Sequence, residues 1–190
     1  QCRDAVFSYG TALYLWGLSD RTPHIYDITI PRDKNISVLK RDNPNLRCHY
    51  LPRDVYEIGI TQTRSPQGAE IKLYDKESLF AGKIHAILCR GWKSRVKGRD
   101  LFDYVFFIAN DIKVNMNLLK NKLLESDYIK ENDKFNIDIL KEMLINKFNE
   151  INYDEAKEDV ISFVKNSDSL DIWSKEFFIS ITNKLEEKLN

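Results

Sequence analysis

Cysteine is scarce in this 190-residue chain: Cys2, Cys48 and Cys89 lie far apart and form no CxxC pair. That excludes a disulfide framework and favours a reducing, cytoplasmic setting. No apolar run approaches the ~20 residues needed to span a bilayer, and no basic, apolar and small-residue leader marks secretion. The chain opens at Gln1 without an initiator Met, so processing, trimming or truncation is expected. Net charge is absent as well. The 29 basic and 29 acidic side chains cancel, which excludes the wholesale nucleic-acid or membrane-surface binder recognised by extreme charge. Seven glycines and five prolines are thinly spread, and there is no repeat or low-complexity tract.

What charge there is, is local. Residues 1–77 carry 11 basic and 10 acidic side chains, residues 78–110 carry 6 and 2, and residues 111–190 carry 12 and 17. Any anion site is therefore expected in the middle segment. The length suffices for a substantial core in one domain or two small ones.

The two ends of the chain follow different periodicities. Phe7 to Leu18 reads as a short helix, with Ser8 as N-cap and Gly17 near its stop. His24 to Ile30 alternates as a strand ending at Pro31, and Leu46, Cys48 and Tyr50 repeat the pattern before Pro52. Glu57 to Thr63 and Ala69 to Tyr74 flank Ser65-Pro66-Gln67-Gly68, whose Pro and Gly suit a type I turn in a hairpin. Asp33 to Asn45 reads as a polar loop. After Ser78 the pattern turns helical, with stripes at Leu119 and Leu123, at Ile137, Leu140, Leu144 and Phe148, and at Ala156, Val160, Phe163 and Val164. A last helix runs from Ser174 to about Leu189, Trp173 packs ahead of it, and Asn136 and Ser174 serve as N-caps. The expected fold is α+β: a small mixed α/β unit over 1–77 followed by an all-helical bundle over 78–190.

The most informative stretch is Ser78 to Asp103, SLFAGKIHAILCRGWKSRVKGRDLFD. Phe80, Ile84, Ile87 and Leu88 form a helical stripe that places Lys83 and Arg90 on one face. A loop from Gly91 to Gly98 carries Lys93, Arg95 and Lys97. Arg99 and Asp100 then open a second helix with Leu101, Val105, Ile108 and Ala109 toward a core and Asp103 one turn on. Lys83, Arg90, Lys93, Arg95, Lys97 and Arg99 are thus the candidate phosphate-binding set. The same residues also suit plainer roles: long cationic stems covering apolar surface, and Asp100 and Asp103 placed favourably near a helix N-terminus. His85 and Cys89, four apart, have a metal-bridging spacing but no further ligands, so packing is expected there. Cys48 and His49 point to opposite faces of a strand. Trp16, Trp92 and Trp173 read as packing residues, Trp92 in the basic loop being the one that suits base stacking.

These motifs resemble the AbiE type IV toxin–antitoxin system of bacteria. TALYLWGLSDRTPHIYDITIP at Thr11 to Pro31, with LPRDVYEIGI and SPQGAEIKLYDKE, resembles the C-terminal part of the AbiEi antitoxin over residues 5–76. SLFAGKIHAILCR, KGRDLFD and LDIWSKEFF resemble the C-terminal half of the AbiEii nucleotidyltransferase toxin over 78–190. The resemblance implies a fused or truncated abortive-infection protein, joined within Asp75 to Ser78 by an in-frame deletion. It implies nucleoside triphosphate and Mg²⁺ as cofactors, an RNA acceptor, and a cognate toxin or antitoxin as partner. The antitoxin's promoter-binding winged helix has no counterpart, so no DNA binding is expected, and no membrane partner.

By the same resemblance, Lys83 of GKIHA and Asp100 of KGRD match the toxin's C-terminal lysine and aspartate, with Asp103 beside them as a further catalytic candidate. Lys83 would be a point charge for phosphate, Arg99 a planar donor, and Asp100 an orienting or proton-handling group. The family's other lobe uses a Gly-Ser loop and an Asp-x-Asp pair to hold Mg²⁺. Gly10-Thr11 with Asp20 and Asp27 lacks the paired spacing, and Asp75-Lys76-Glu77 lacks the loop, so no metal ligands are assigned. Two functions are expected to compete: a partial nucleotide site with little or no transfer activity alone, and an antitoxin-like regulatory module without catalysis. A folded remnant of a decayed operon is the third alternative.

Overall fold

The computed structural model describes residues 4–19, 22–65, 68–91, 96–164 and 166–188. Among them are a mixed five-stranded sheet and nine α-helices, an α+β fold. The chain divides into two compact units, Gln1–Leu79 and Phe80–Asn190.

In the first unit the strands are β1 (Val6–Phe7), β2 (Tyr26–Pro31), β3 (Leu46–Leu51), β4 (Ile60–Arg64) and β5 (Glu70–Tyr74), in the order β3-β2-β1-β5-β4. β2 and β3 are parallel, β1 is antiparallel to β2 and parallel to β5, and β4 and β5 form an antiparallel hairpin. Alternation sorts the side chains of β2. Ile28 and Ile30 go to one face, where they pack with Ile36, Leu39, Leu46, Cys48 and Phe7. Asp27 and Thr29 go to the other.

Three expectations need correction here. The helix expected over 7–18 is α1, Tyr9–Leu15, because Phe7 is taken into the sheet. Ser8 is extended at the N-cap, but its hydroxyl is buried and makes no capping bond. The expected polar loop at 33–45 contains α2 (Ser37–Asp42): Asn35 Oδ1 accepts from the Ser37 N–H and hydroxyl, and Ile36 and Leu39 anchor the segment to the core. A short α3 (Arg53–Tyr56) delays the next strand to Ile60, after Gly59 at φ 79°. The hairpin closes with Gly68 N–H on the Ser65 carbonyl at 2.8 Å; Pro66 and Gln67, which would set the turn type, lie outside the described residues. Trp16 Nε1 donates to the Tyr74 carbonyl, the Tyr74 hydroxyl to the Tyr56 carbonyl, and the Tyr56 hydroxyl to the Asp4 carbonyl. Those bonds satisfy the polar tips of buried aromatic rings.

The second unit is built from α4 (Lys76–Cys89, from Phe80 on), α5 (Gly98–Ala109), α6 (Met116–Glu125), α7 (Ile137–Asn149), α8 (Tyr153–Val160) and α9 (Lys175–Asn183). Its core is aromatic. Phe80 stacks on Phe107 at 4.8 Å, Phe148 lies 5.1 Å from Phe178, and Trp173 meets Phe178 edge-on at 5.5 Å. Each such ring, fully buried, contributes about 1.5–3 kcal/mol of transfer free energy. The Tyr104 hydroxyl, inside this core, bonds Thr182 Oγ1 at 2.9 Å, and Thr182 in turn donates to the Phe178 carbonyl.

Asn136 and Ser174 cap α7 and α9 through their side chains, as do Asn115 and Asn152 on α6 and α8. The buried stripe of α5 is Leu101, Tyr104 and Phe107; Ala109, expected in the core, is exposed, and Val105 and Ile108 are half-buried. The helix is rotated so that Tyr104, Phe107 and Asp100 face inward, while Phe102 is exposed. Phe163, also expected inside, lies exposed in a 3-10 turn after α8. α9 ends at Asn183 rather than near 189, because Glu187 leaves the helix to pair with Val114 in a parallel bridge.

Candidate functional site

Lys83 on α4 and Arg90, the residue just past its end, lie seven positions apart, and both meet carboxylates of α5. Lys83 Nζ pairs with Asp103, and the Arg90 guanidinium bonds Asp100. The crossed order of the partners means that the two helices run in opposite directions along this seam. Lys83 and Asp103 keep 25% and 30% of their side chains exposed; in the other pair Arg90 keeps 49% and Asp100 only 8%. The difference decides what each pair can do. Where both partners keep a solvent-facing part, as here, the lysine can exchange its carboxylate for a phosphate oxygen, which an anion buried like Asp100 does not allow. Asp100 is a buried anion, held in the first turn of α5 by the helix dipole and by Arg90, and its removal leaves an unmatched cation rather than an open subsite.

Arg99, from the exposed side of α5, lies over the Phe163 ring at 4.7 Å and places Nε 3.8 Å from Asp159 Oδ2 on α8. Lys147 of α7 donates to the Arg90 carbonyl at 3.0 Å. The structure thus pairs Lys83 with Asp103 and Arg90 with Asp100, whereas Arg99 turns to Asp159 and Phe163. Lys97 is exposed at the N-cap of α5, and Lys93 and Arg95, with Trp92, lie outside the described residues. Asp159 and Lys147 were missed from the sequence. Asp159 adjoins the apolar stripe of Ala156 and Val160, which was the signal that it points inward.

Gly98 explains why the KGRD turn takes this shape. A Cβ there would overlap the Ala156 carbonyl, so only glycine lets the start of α5 approach α8 closely. That approach sets Arg99 beside Asp159 and Asp100 beside Arg90.

On the other face of α4, the His85 ring lies 3.1 Å from Ser126 Oγ, and Cys89 Sγ lies 3.4 Å from the same oxygen. Burial and the nearby Lys122 ammonium push the His85 pKa down to about 4, while burial raises the Cys89 thiol and lowers Lys122. These groups latch α4 to the end of α6. A neutral imidazole, a protonated thiol and a neighbouring ammonium do not make a cation site.

In the first unit the sheet face opposite its core holds a second polar cluster. Asp27 Oδ1 is 2.8 Å from His49 Nε2 and 3.6 Å from Arg47, both on β3. The Asp27 N–H donates to Thr11 Oγ1 at 2.8 Å, and the Tyr9 ring covers His49 at 4.1 Å. Gly10 opens toward Asp27 Oδ2, and Tyr9 sits at φ 47°. So Gly10, Thr11 and Asp27, far apart in sequence, do meet. As the strand alternation requires, Cys48 packs in the core and His49 faces the other way.

With both clusters in view, the comparison with known proteins is specific. The profile of the family described as nucleotidyl transferase AbiEii toxin, type IV TA system, matches residues 36–179. The chain belongs to the AbiEii family. No curated protein matches it. Among solved structures, the crystal structure of JHP933 from Helicobacter pylori is 20% identical, with a TM-score of 0.46, covering 94% of this chain and 80% of that one. The AbiEii match begins at residue 36, so it leaves out β1, α1 and β2 but takes in α2, β3 and the hairpin and runs through the joint expected at 75–78. No antitoxin segment or fusion is supported by any of these likenesses, and residues 36–76, expected to be AbiEi-like, fall within the AbiEii match.

AbiEii chemistry implies a divalent cation at paired carboxylates. The residues of the first unit do not fit one. Asp27 is followed two positions on, on the same face, by buried Thr29 rather than by a second acid. Arg47 and His49 already crowd the one carboxylate, and a hard cation seeks several oxygen ligands, not neighbouring cations. Among the described residues no group of three or more His, Cys, Asp or Glu side chains is placed to hold a metal. No described helix is long and apolar enough to cross a membrane.

Proposed function

We propose that this AbiEii-family chain keeps the phosphate-handling face of a nucleotidyltransferase on its helical unit, and that it binds nucleoside triphosphate there without transferring it unaided. The observation that carries this reading is the Lys83–Asp103 pair, in which cation and carboxylate both keep a solvent-facing part, beside an Arg90–Asp100 pair whose carboxylate is buried. Lys83 offers a compact charge to a phosphate oxygen, and Asp103 holds the ammonium in place until the phosphate arrives. Asp100 acts through Arg90, positioning it rather than meeting substrate. Arg99, with its guanidinium on Phe163, is the planar donor at the rim. Transfer requires an offset for triphosphate charge that the first unit's donor set does not provide.

Calorimetric titration with GTP, CTP and UTP, with and without Mg²⁺, tests the reading. Measurable heat that disappears in Lys83→Ala supports it, and no heat with any triphosphate refutes it. An acceptor RNA, and a cognate toxin or antitoxin in the same system, belong to this proposal as partners.

A second reading is favoured by the Asp27 cluster. Where a catalytic lobe would concentrate negative charge, this one has His49 and Arg47 on its single acid, an arrangement suited to a regulatory binding module. Co-expression with an intact toxin of the same system tests it. Restored growth, independent of Lys83, supports this reading, and unchanged toxicity counts against it.

A further inference from the structure

β2, α2 and β3 form a βαβ unit with parallel strands, and ligands of such units bind outside the carboxyl ends of the strands. An open depression of about 390 Å³ lies at that end, between the loop after Pro31 and the end of β3. Arg32, Lys34 and Lys40 bring three cations to it, Asn35 and Ser37 bring amide and hydroxyl groups, and Tyr50 forms one wall. The Tyr50 ring is 38% exposed, with Lys40 Nζ 5.5 Å from its centroid. The one lining acid, Asp33, is occupied elsewhere: its carboxylate accepts from Arg53 at 2.6 Å, which also holds its pKa below the usual range. Lys34 pairs with Asp4 at 3.2 Å, with 44% and 35% of the two side chains exposed, so an incoming anion can compete for that contact.

Positive charge from three side chains beside an exposed aromatic face defines a ligand with two parts, an anionic head and a flat ring. Arginine and lysine together suit a phosphate monoester, with the guanidinium taking two oxygens and the ammonium groups the remaining charge. Tyr50 suits a base stacked on it. We propose that this depression is a second anion site, separate from Lys83, which binds a nucleoside 5′-phosphate, either free or as the 5′ end of an RNA strand.

The test uses the full chain carrying Lys83→Ala, so that the helical unit's proposed site contributes nothing. Titration at low salt with UMP, uridine, inorganic phosphate and a 5′-phosphorylated tetraribonucleotide, followed by calorimetry, reads the site. UMP is expected to bind at least tenfold more tightly than uridine. Arg32→Gln and Lys40→Gln should each weaken UMP roughly tenfold, and Tyr50→Ala should weaken UMP while leaving phosphate unchanged. Binding of the tetranucleotide tighter than that of UMP assigns an RNA end; equal affinity assigns the free nucleotide. No binding by any phosphate, or UMP affinity unaltered in the Arg32 and Lys40 variants, overturns the proposal. Tyr50→Ala that leaves UMP affinity intact overturns the ring contact. These positions are at the surface, and unchanged melting temperatures will show that the variants remain folded.

Discussion

Gly98, in the first turn of α5, lies so close to the Ala156 carbonyl of α8 that no side chain can stand between them. Backbone on both sides leaves little room to yield. Gly98→Ala is therefore expected to destabilise the helical unit by about 3 kcal/mol, at the upper end of overpacking costs. Urea denaturation followed by circular dichroism measures it, and a loss below half a kilocalorie would mean that the two helices part easily. Loosening should also free Arg99 from Asp159, so nucleotide binding ought to change with stability.

Thr11 and Asp27 make a sharper test of the first unit. The Thr11 hydroxyl accepts the Asp27 N–H, and both residues are buried. Thr11→Val keeps the shape and strands the donor, which costs about 1–3 kcal/mol. The expected result is a lower urea midpoint with no change in slope.

The pH dependence of stability should carry a signature of His85. Its pKa in the fold is about 4, depressed mainly by burial, whereas the unfolded chain titrates near 6.5. The unfolded state thus binds the extra proton first. The His85 contribution is fully present above about pH 6.5 and is lost as pH falls toward 4. Comparing urea midpoints at pH 7.5 and 4.5 should show a larger drop for the native sequence than for His85→Gln, which keeps a hydrogen-bonding group without the titration. Equal drops would place the acid sensitivity elsewhere.

Much of this molecule is legible in its sequence, and the illegible parts have physical causes. Ile28 and Ile30 in β2, and the capping residues Asn136 and Ser174, follow from local pattern, because period and cap chemistry act within a few residues. α2 was hidden because only Ile36 and Leu39 mark its apolar side within a polar run. The stripe of α5 is ambiguous in the sequence because apolar residues lie on every side of this helix, Phe102, Val105, Phe106 and Ile108 as well as the buried Leu101, Tyr104 and Phe107. In the site, Lys83 and Arg90, seven residues apart, both reach α5, although Arg90 lies just past the end of α4. Their pairing with Asp103 and Asp100, and that of Asp27 with His49 and Arg47, depends on contacts between elements that no local spacing records.

The most direct test of the central claim is a charge swap at the seam. Lys83→Asp together with Asp103→Lys preserves an ion pair between α4 and α5 but moves the cation to the other helix. A purely structural pair tolerates the exchange in every respect. A phosphate ligand does not. Calorimetric titration of the swapped chain with GTP, beside its own urea midpoint, is therefore the measurement: we predict stability within about 1 kcal/mol of the native chain, as for an ion pair that solvent still reaches, with GTP binding lost. GTP affinity equal to that of the native chain would contradict the account.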